Sequence, residues 1–183
     1  MVRCFTNIEL SKEQRERISE LIETLKPRGS KVKWVEEENL HITLNFLGEV
    51  PEGKVEKLKK EFETGLAGEK KFQLSLKGVG SFPNWNNPRV LWIGVENGAE
   101  ETQGIAKKLS EAITVGEKEH KKFHPHVTIG RVKIQDNTII KKLREAEGTK
   151  FGECGVDDVN IKKSTLTEKG AVYEVIKEVK LLT

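Results

Sequence analysis

The sequence predicts an α+β fold built as two similar lobes, and three observations carry that reading. Apolar residues fall in short runs of strand or helix period, separated by turn signals. Several strands arrive in consecutive pairs, which favours α+β over alternating parallel α/β. One strand–turn–helix unit also recurs: His41 and His126 lie 85 residues apart, and at that offset Thr43 matches Thr128, Val55 matches Ile140, Lys57 matches Lys142 and Leu58 matches Leu143. No gap is needed. The simplest architecture is a single domain over residues 1–183 whose two lobes bring their equivalent strands together, His41 in one and His126 in the other.

The elements follow in order. "VRCFTNI" reads as a first strand, and a helix starts at Ser11, with Gln14 at capping-box spacing. It runs through Ile18, Leu21, Ile22 and Leu25 until Pro27 and Gly29 stop it. "KVKWV" is a strand, and the acidic run Glu36 to Glu38 separates it from the next, "HITLNFLGEV", apolar at Ile42, Leu44 and Phe46. After Pro51 and Gly53 a second amphipathic helix carries Val55, Leu58 and Phe62 on one face. "FQLSLKGVGSF" and "RVLWIGVE" are strands joined by the "PNWNNP" loop, and Ile105, Leu109, Ala112 and Ile113 mark a third helix. The basic loop "GEKEHKKFHP" leads into the His126 strand, and a short helix follows, capped near Asn137 and built on Ile140 and Leu143. Strands around "VNIKKSTLT" and "AVYEVIKEVKLL", joined by a turn at Gly170, end the chain.

Composition narrows the function classes. The chain has 183 residues, 33% charged and 36% hydrophobic, in the periodic pattern of a folded protein. No apolar stretch approaches the roughly 20 residues that span a bilayer, and "MVRCFTNIEL" lacks the apolar core of a signal peptide. A cytoplasmic protein without membrane contact is expected. Cys4 and Cys154 form neither a Cys-x-x-Cys pair nor a disulfide framework and read as small core or near-core residues. A net charge of +3 is too modest to announce a nucleic-acid binder, so any basic surface must be local. Abundant Lys and Glu with a single Met point to a thermophilic source.

The chemistry lies in two strands. Residues i and i+2 of a strand share a face, so His41 with Thr43, and His126 with Thr128, each set an imidazole beside a hydroxyl. Four His and twelve Thr give roughly a quarter of one His-x-Thr triplet by chance, so one copy means little. Two copies, each in an alternating strand and each followed by a helix at one offset, call for a cause. If the lobes are related by a pseudo-twofold, the four side chains face one another across a cleft, an arrangement that suits a phosphodiester. Breaking P–O without a metal needs a base for the attacking oxygen and an acid for the leaving oxygen, and imidazole, with a pKa near ~6.5, can be either. The threonine hydroxyls can donate hydrogen bonds to the non-bridging oxygens.

Rival readings are weaker on the residues. His124 and His126 form a His-x-His that could hold zinc with His120 or His41, yet no His-Glu-x-x-His, Asp cluster or nearby cysteine supports it and both threonines stay unexplained. A nucleotide-dependent ligase lacks its Lys-x-Asp-Gly motif and a P-loop. A nucleotide- or RNA-binding module without turnover would not need both histidines and both threonines.

His41-Ile42-Thr43-Leu44 and His126-Val127-Thr128-Ile129 resemble the paired His-x-Thr-x signature of the 2H phosphoesterase superfamily. "HITLNFLGEV", "HPHVTIGRV" and "GAVYEV" are similar to its branch of RNA 2′,3′-cyclic phosphodiesterases, also called 2′-5′ RNA ligases, over essentially the whole chain. The resemblance implies a bilobal fold, with two antiparallel sheets lining a central water-filled groove and helices on the outer faces. It implies metal-independent opening of the 2′,3′-cyclic phosphate of a nucleotide or RNA end to a 2′-phosphate, with reversible ATP-independent 2′-5′ joining as a weak companion; a monomer without cofactor is expected.

Smaller candidates surround the motifs. Strict alternation puts Arg131 on the face away from Thr128, so it reaches the groove only if Gly130 marks a bulge. Lys121 and Lys122, in the loop before His126, could contact phosphates. Phe5, Trp34, Phe82, Trp85 and Trp92 are candidates for stacking on a base.

Overall fold

A computed structural model describes residues 1–26 and 31–183; Pro27 and Gly29, expected to stop the first helix, lie outside the described residues. The chain runs β1 (Val2–Glu9), α1 (Lys12–Leu25), β2 (Val32–Trp34), β3 (His41–Val50), α2 (Val55–Leu66), β4 (Phe72–Phe82), β5 (Val90–Val95), α3 (Ala99–Ala112), β6 (His126–Val132), α4 (Asn137–Arg144), β7 (Lys150–Val156), β8 (Asp158–Thr167) and β9 (Gly170–Lys180). The capping box at Ser11 forms as its spacing requires, with Gln14 N–H donating to the serine hydroxyl and Ser11 N–H to the glutamine carbonyl. The α4 cap is Asp136, one residue before the expected Asn137, and its carboxylate accepts from Thr138 and Ile139 N–H.

Among the described residues nine strands make one curled antiparallel sheet in the order β7-β4-β5-β6-β3-β1-β8-β9, with β2 on β6. What the sequence reads as two sheets is therefore joined. The junction is a single bridge, Ile42 to Val127. Four strands extend on each side of it. Helices α1 and α4 pack against β7 and β4 on one flank, and α3 and α2 against β3 and β9 on the other. The same face of the sheet receives Ile42 and Val127, both fully buried in the core with Ile18, Leu58, Phe62, Leu109 and Leu143. The opposite face is open.

β7 is absent from the sequence reading. "KFGECGV" carries two glycines and buries only Phe151 and Val156, so it lacks the alternation that marks a half-buried strand. Tertiary contacts hold it instead: it pairs along β4, and the Gln14 amide of α1 donates to the Gly152 carbonyl at 3.2 Å. Cys4 is buried, Cys154 half-buried, and both are free thiols. Among the described residues no helix is long and apolar enough to cross a membrane.

Candidate active site

The Ile42–Val127 bridge sets the site. Both residues point into the core, so their neighbours His41, Thr43, His126 and Thr128 project to the open face, where all four are half-buried. In an antiparallel register centred on that bridge, His41 falls toward Thr128 and Thr43 toward His126. His41 and His126 thus stand diagonally across the one junction.

The two rings are anchored alike. His41 Nδ1 lies 2.7 Å from the Asn39 carbonyl, and His126 Nδ1 lies 2.6 Å from the His124 carbonyl. A carbonyl only accepts, so Nδ1 carries the proton in each neutral ring and Nε2 presents a lone pair. His41 Nε2 accepts from the Thr43 hydroxyl at 2.8 Å. Burial lowers the His41 pKa to about 4; the Asn39 carbonyl and Glu9 oppose the shift, and Lys162 and His126 add to it. His126 is also lowered, first by burial and then by the charges of His124 and Arg131, with its own carbonyl bond acting the other way. Both imidazoles are thus neutral at pH 7 in the unliganded protein.

Bulges aim the residues that follow. Opposite β1, β3 carries Leu44 and Leu47 as extra residues; opposite β5, β6 carries Ile129. Leu44 and Ile129 each follow the motif threonine. The extra residue turns two successive side chains inward and returns the next to the open face. Arg131 accordingly stands on the face of Thr128, where its charge bears on both His126 and Tyr173. The bulge sits at Ile129, with Gly130 beside it because a Cβ there would approach Val32 at 2.8 Å and Trp34 at 2.9 Å. Phe46 occupies the equivalent position on β3 and is 46% exposed.

Aromatic rings wall both histidines. Phe5 stacks on His41 at 5.0 Å, and Tyr173 meets His41 edge-on at 5.5 Å. Phe82 meets His126 edge-on at 4.9 Å, with Trp92 6.2 Å from His126. Gly80 makes this possible, because a Cβ there would overlap the Trp92 ring. Trp34 lies over Gly130 on the helix-covered side, away from Arg131, and Trp85 is occupied by the Arg144 guanidinium 5.1 Å above its ring. These two therefore do not line the site, since each packs on the core side of its strand or loop. Lys121 and Lys122 are exposed in the loop before β6.

Three contributors escape the sequence reading. Tyr173 lies in "GAVYEV", a stretch without the His-x-Thr pattern. His124, whose His-x-His spacing suggests only a metal ligand, lies tilted with its ring 4.9 Å from that of Trp92. Lys162, almost buried, pairs with Glu9, which faces His41 on the neighbouring strand and also accepts from the Asn7 amide at 3.1 Å. No local pattern joins β1 to β8, so only the folded sheet discloses that pair. As for metal, no cluster of three His, Cys, Asp or Glu exists among the described residues, and His126 Nδ1 is committed to a carbonyl.

Residues 8–92 match the model of the LigT like Phosphoesterase family. The RNA 2′,3′-cyclic phosphodiesterase of Methanocaldococcus jannaschii is 42% identical, over 97% of this chain and 99% of that protein. This chain belongs to the LigT-like phosphoesterases. A second member with the same name, from Thermotoga maritima, is 37% identical over 97% of this chain and 94% of its own length. Among solved LigT-like structures, apo LigT of Escherichia coli superposes with a TM-score of 0.79 at 26% identity, covering 100% of this chain and 98% of that one. A Thermus thermophilus protein does so at 0.80 and 29%, covering 98% and 97%.

Proposed function

We propose that this LigT-like phosphoesterase is a metal-independent RNA 2′,3′-cyclic phosphodiesterase, and that His41 and His126 are its acid–base pair. The observation that carries the reading is the Ile42–Val127 bridge, which sets one His-x-Thr on each side of a single junction. One imidazole takes a proton from water as its oxygen bonds to phosphorus. The opposite imidazole, protonated, delivers its proton to the ribose oxygen as the P–O3′ bond breaks, leaving a 2′-phosphate. Thr43, Thr128 and Arg131 stabilise the non-bridging oxygens. Phe5 and Tyr173 on one side and Phe82 and Trp92 on the other confine the rings and offer faces to a base. The names of the M. jannaschii and T. maritima relatives, and a complex of the E. coli neighbour with 3′-AMP, support this substrate class.

Bridge residues 85 apart in antiparallel register are what a pseudo-twofold between two lobes requires, and α1 and α3, both of 14 residues, repeat the relation. All four motif side chains come from one chain, which fits a monomer. With an RNA 5′-hydroxyl in place of water, the same pair joins ends through a 2′-5′ linkage without ATP. End-group analysis of an oligonucleotide bearing a 2′,3′-cyclic phosphate, incubated in EDTA, should yield a 2′-phosphate. A 3′-phosphate would contradict the orientation, and activity lost to chelation and restored by zinc would overturn the mechanism.

A further inference from the structure

Beyond Lys163 the last hairpin leaves the sheet. β8 pairs with β1 only from Asn160 to Lys163, while β8 and β9 stay paired with each other out to Thr167 and Gly170. Residues 164–173 are thus a two-stranded ribbon with no third strand beside it, a unit of marginal stability by itself. Leu166 and Val172 on it are exposed.

This ribbon nevertheless reaches the site. Ala171 pairs with Leu166, beyond the Cys4–Lys163 pair at the start of β1, whereas Asn39 precedes His41, which faces Glu9 at the far end of β1. In a flat sheet the two would be far apart along the strands, and β9 is three strands from β3 across them. Yet the Asn39 side-chain amide donates to the Ala171 carbonyl at 3.2 Å. The ribbon therefore bends back over the open face. The bend has a local cause: between the pairs Ile161–Lys177 and Lys162–Val175, β9 carries Ile176 as an extra residue. Bent in this way, the ribbon sets Tyr173 edge-on against Phe5 at 5.0 Å and His41 at 5.5 Å.

Asn39 holds His41 from two sides. Its carbonyl accepts from the ring Nδ1 at 2.7 Å, and its amide holds the strand that carries Tyr173. Among the described residues that amide bond is the only hydrogen bond from residues 164–173 to the rest of the chain. The charged groups that act on His41 come from other strands: Glu9 on β1, its partner Lys162 on β8, and His126 on β6. The ribbon adds the Tyr173 phenol, raised by burial against the pull of Arg131 and Arg3. Lifting the ribbon would take cover from His41 and leave those charges in place.

We propose that Asn39 is a positioning residue for His41, with its amide latching the hairpin so that Tyr173 rests against the imidazole that the Asn39 carbonyl orients. The role rests on the acid–base reading of His41.

Tyr173 is the chain's single tyrosine, so ring-labelled tyrosine gives one NMR reporter of the latch. Phe5 and His41 should shift its signals from the free-tyrosine position in the wild-type protein. Asn39→Ala should abolish more than half of that shift, and Asn39→Gln, which keeps an amide donor, should restore most of it. Asn39→Ala should also move the His41 titration from about 4 toward about 6.5. It should lower kcat about fivefold, the worth of one hydrogen bond, with KM within about twofold because Asn39 acts through His41 and not on substrate. In a Tyr173→Ala background the same substitution should cost less than about twofold, since the latch then holds no ring. An unmoved tyrosine signal in Asn39→Ala, or independent losses in the double variant, would overturn the role. The tyrosine signal is read without turnover, so a latch that responds to Asn39→Ala in a protein that opens no cyclic phosphate would count against the catalytic reading alone.

Discussion

His41 and His126 begin from the same four-residue motif and end in different surroundings. His41 is closed in by Phe5 and Tyr173, its Nε2 is taken by Thr43, and burial holds its pKa at about 4. His126 has its Nδ1 anchored in the same way, but among the described residues its Nε2 has no hydrogen-bond partner, and a second imidazole and an arginine act on it. Three residues after each motif threonine, beyond the bulge, stands Phe46 on one side and Arg131 on the other. The repeated motif provides two equivalent tools; the flanking strands make them unequal, which is what a reaction with one acid and one base requires.

The sharpest way to break the comparison is to remove each ring. His41→Ala and His126→Ala should each cost on the order of 10² or more in turnover with the fold retained by circular dichroism, because general acid and base each contribute at least that much. Near-normal rates in either would mean that the pair is misassigned. Gly80→Ala should come next: a methyl there displaces Trp92 from beside His126, lowering kcat/KM by about tenfold and destabilising by about 1–3 kcal/mol as overpacking does. A variant with wild-type Tm and wild-type kcat/KM would show that the Trp92 wall is dispensable.

Thr43→Val and Thr128→Val should each cost about tenfold in kcat, the worth of one hydrogen bond to a charged group. Thr43→Val has a second expected effect, since its hydroxyl is also the partner of His41 Nε2; the pH profile of that variant should move while that of Thr128→Val should not.

Acidity sharpens the contrast further. Both imidazole pKa values are lowered in the free protein, so the limbs of the kcat/KM profile should lie on the acid side of about 6.5. Bound phosphate favours imidazolium, so the kcat profile should move toward alkali; coincident profiles would contradict it. The smallest effect is on stability. Because the folded His41 resists protonation down to about 4, whereas the unfolded ring binds a proton near about 6.5, acid favours unfolding across that window. His41→Gln should lose that part of the decline in Tm between these values.

Legibility in the sequence followed locality. His41, Thr43, His126 and Thr128 announce themselves because strand period and a fixed offset are properties of short stretches and of their repetition. Arg131 was conditional on a bulge that the sequence could suggest only through Gly130; the pairing with β5 put the extra residue at Ile129. Trp34 and Trp85 show the opposite failing. An aromatic residue has the same composition whichever side it faces, and only the neighbours Gly130 and Arg144 reveal that both turn from the site.

The sequence by itself determined the α+β class, the family resemblance, the two motifs and the chemistry that an imidazole beside a hydroxyl can perform, since each depends on residues within a few positions of one another. Only the tertiary structure decided that the motifs meet at Ile42 and Val127, that Glu9 is matched by Lys162, and that Lys33 stands opposite Arg131. Those relations join strands far apart in the chain. Sheet register fixes them, and register comes from the whole buried face packing at once rather than from any one segment.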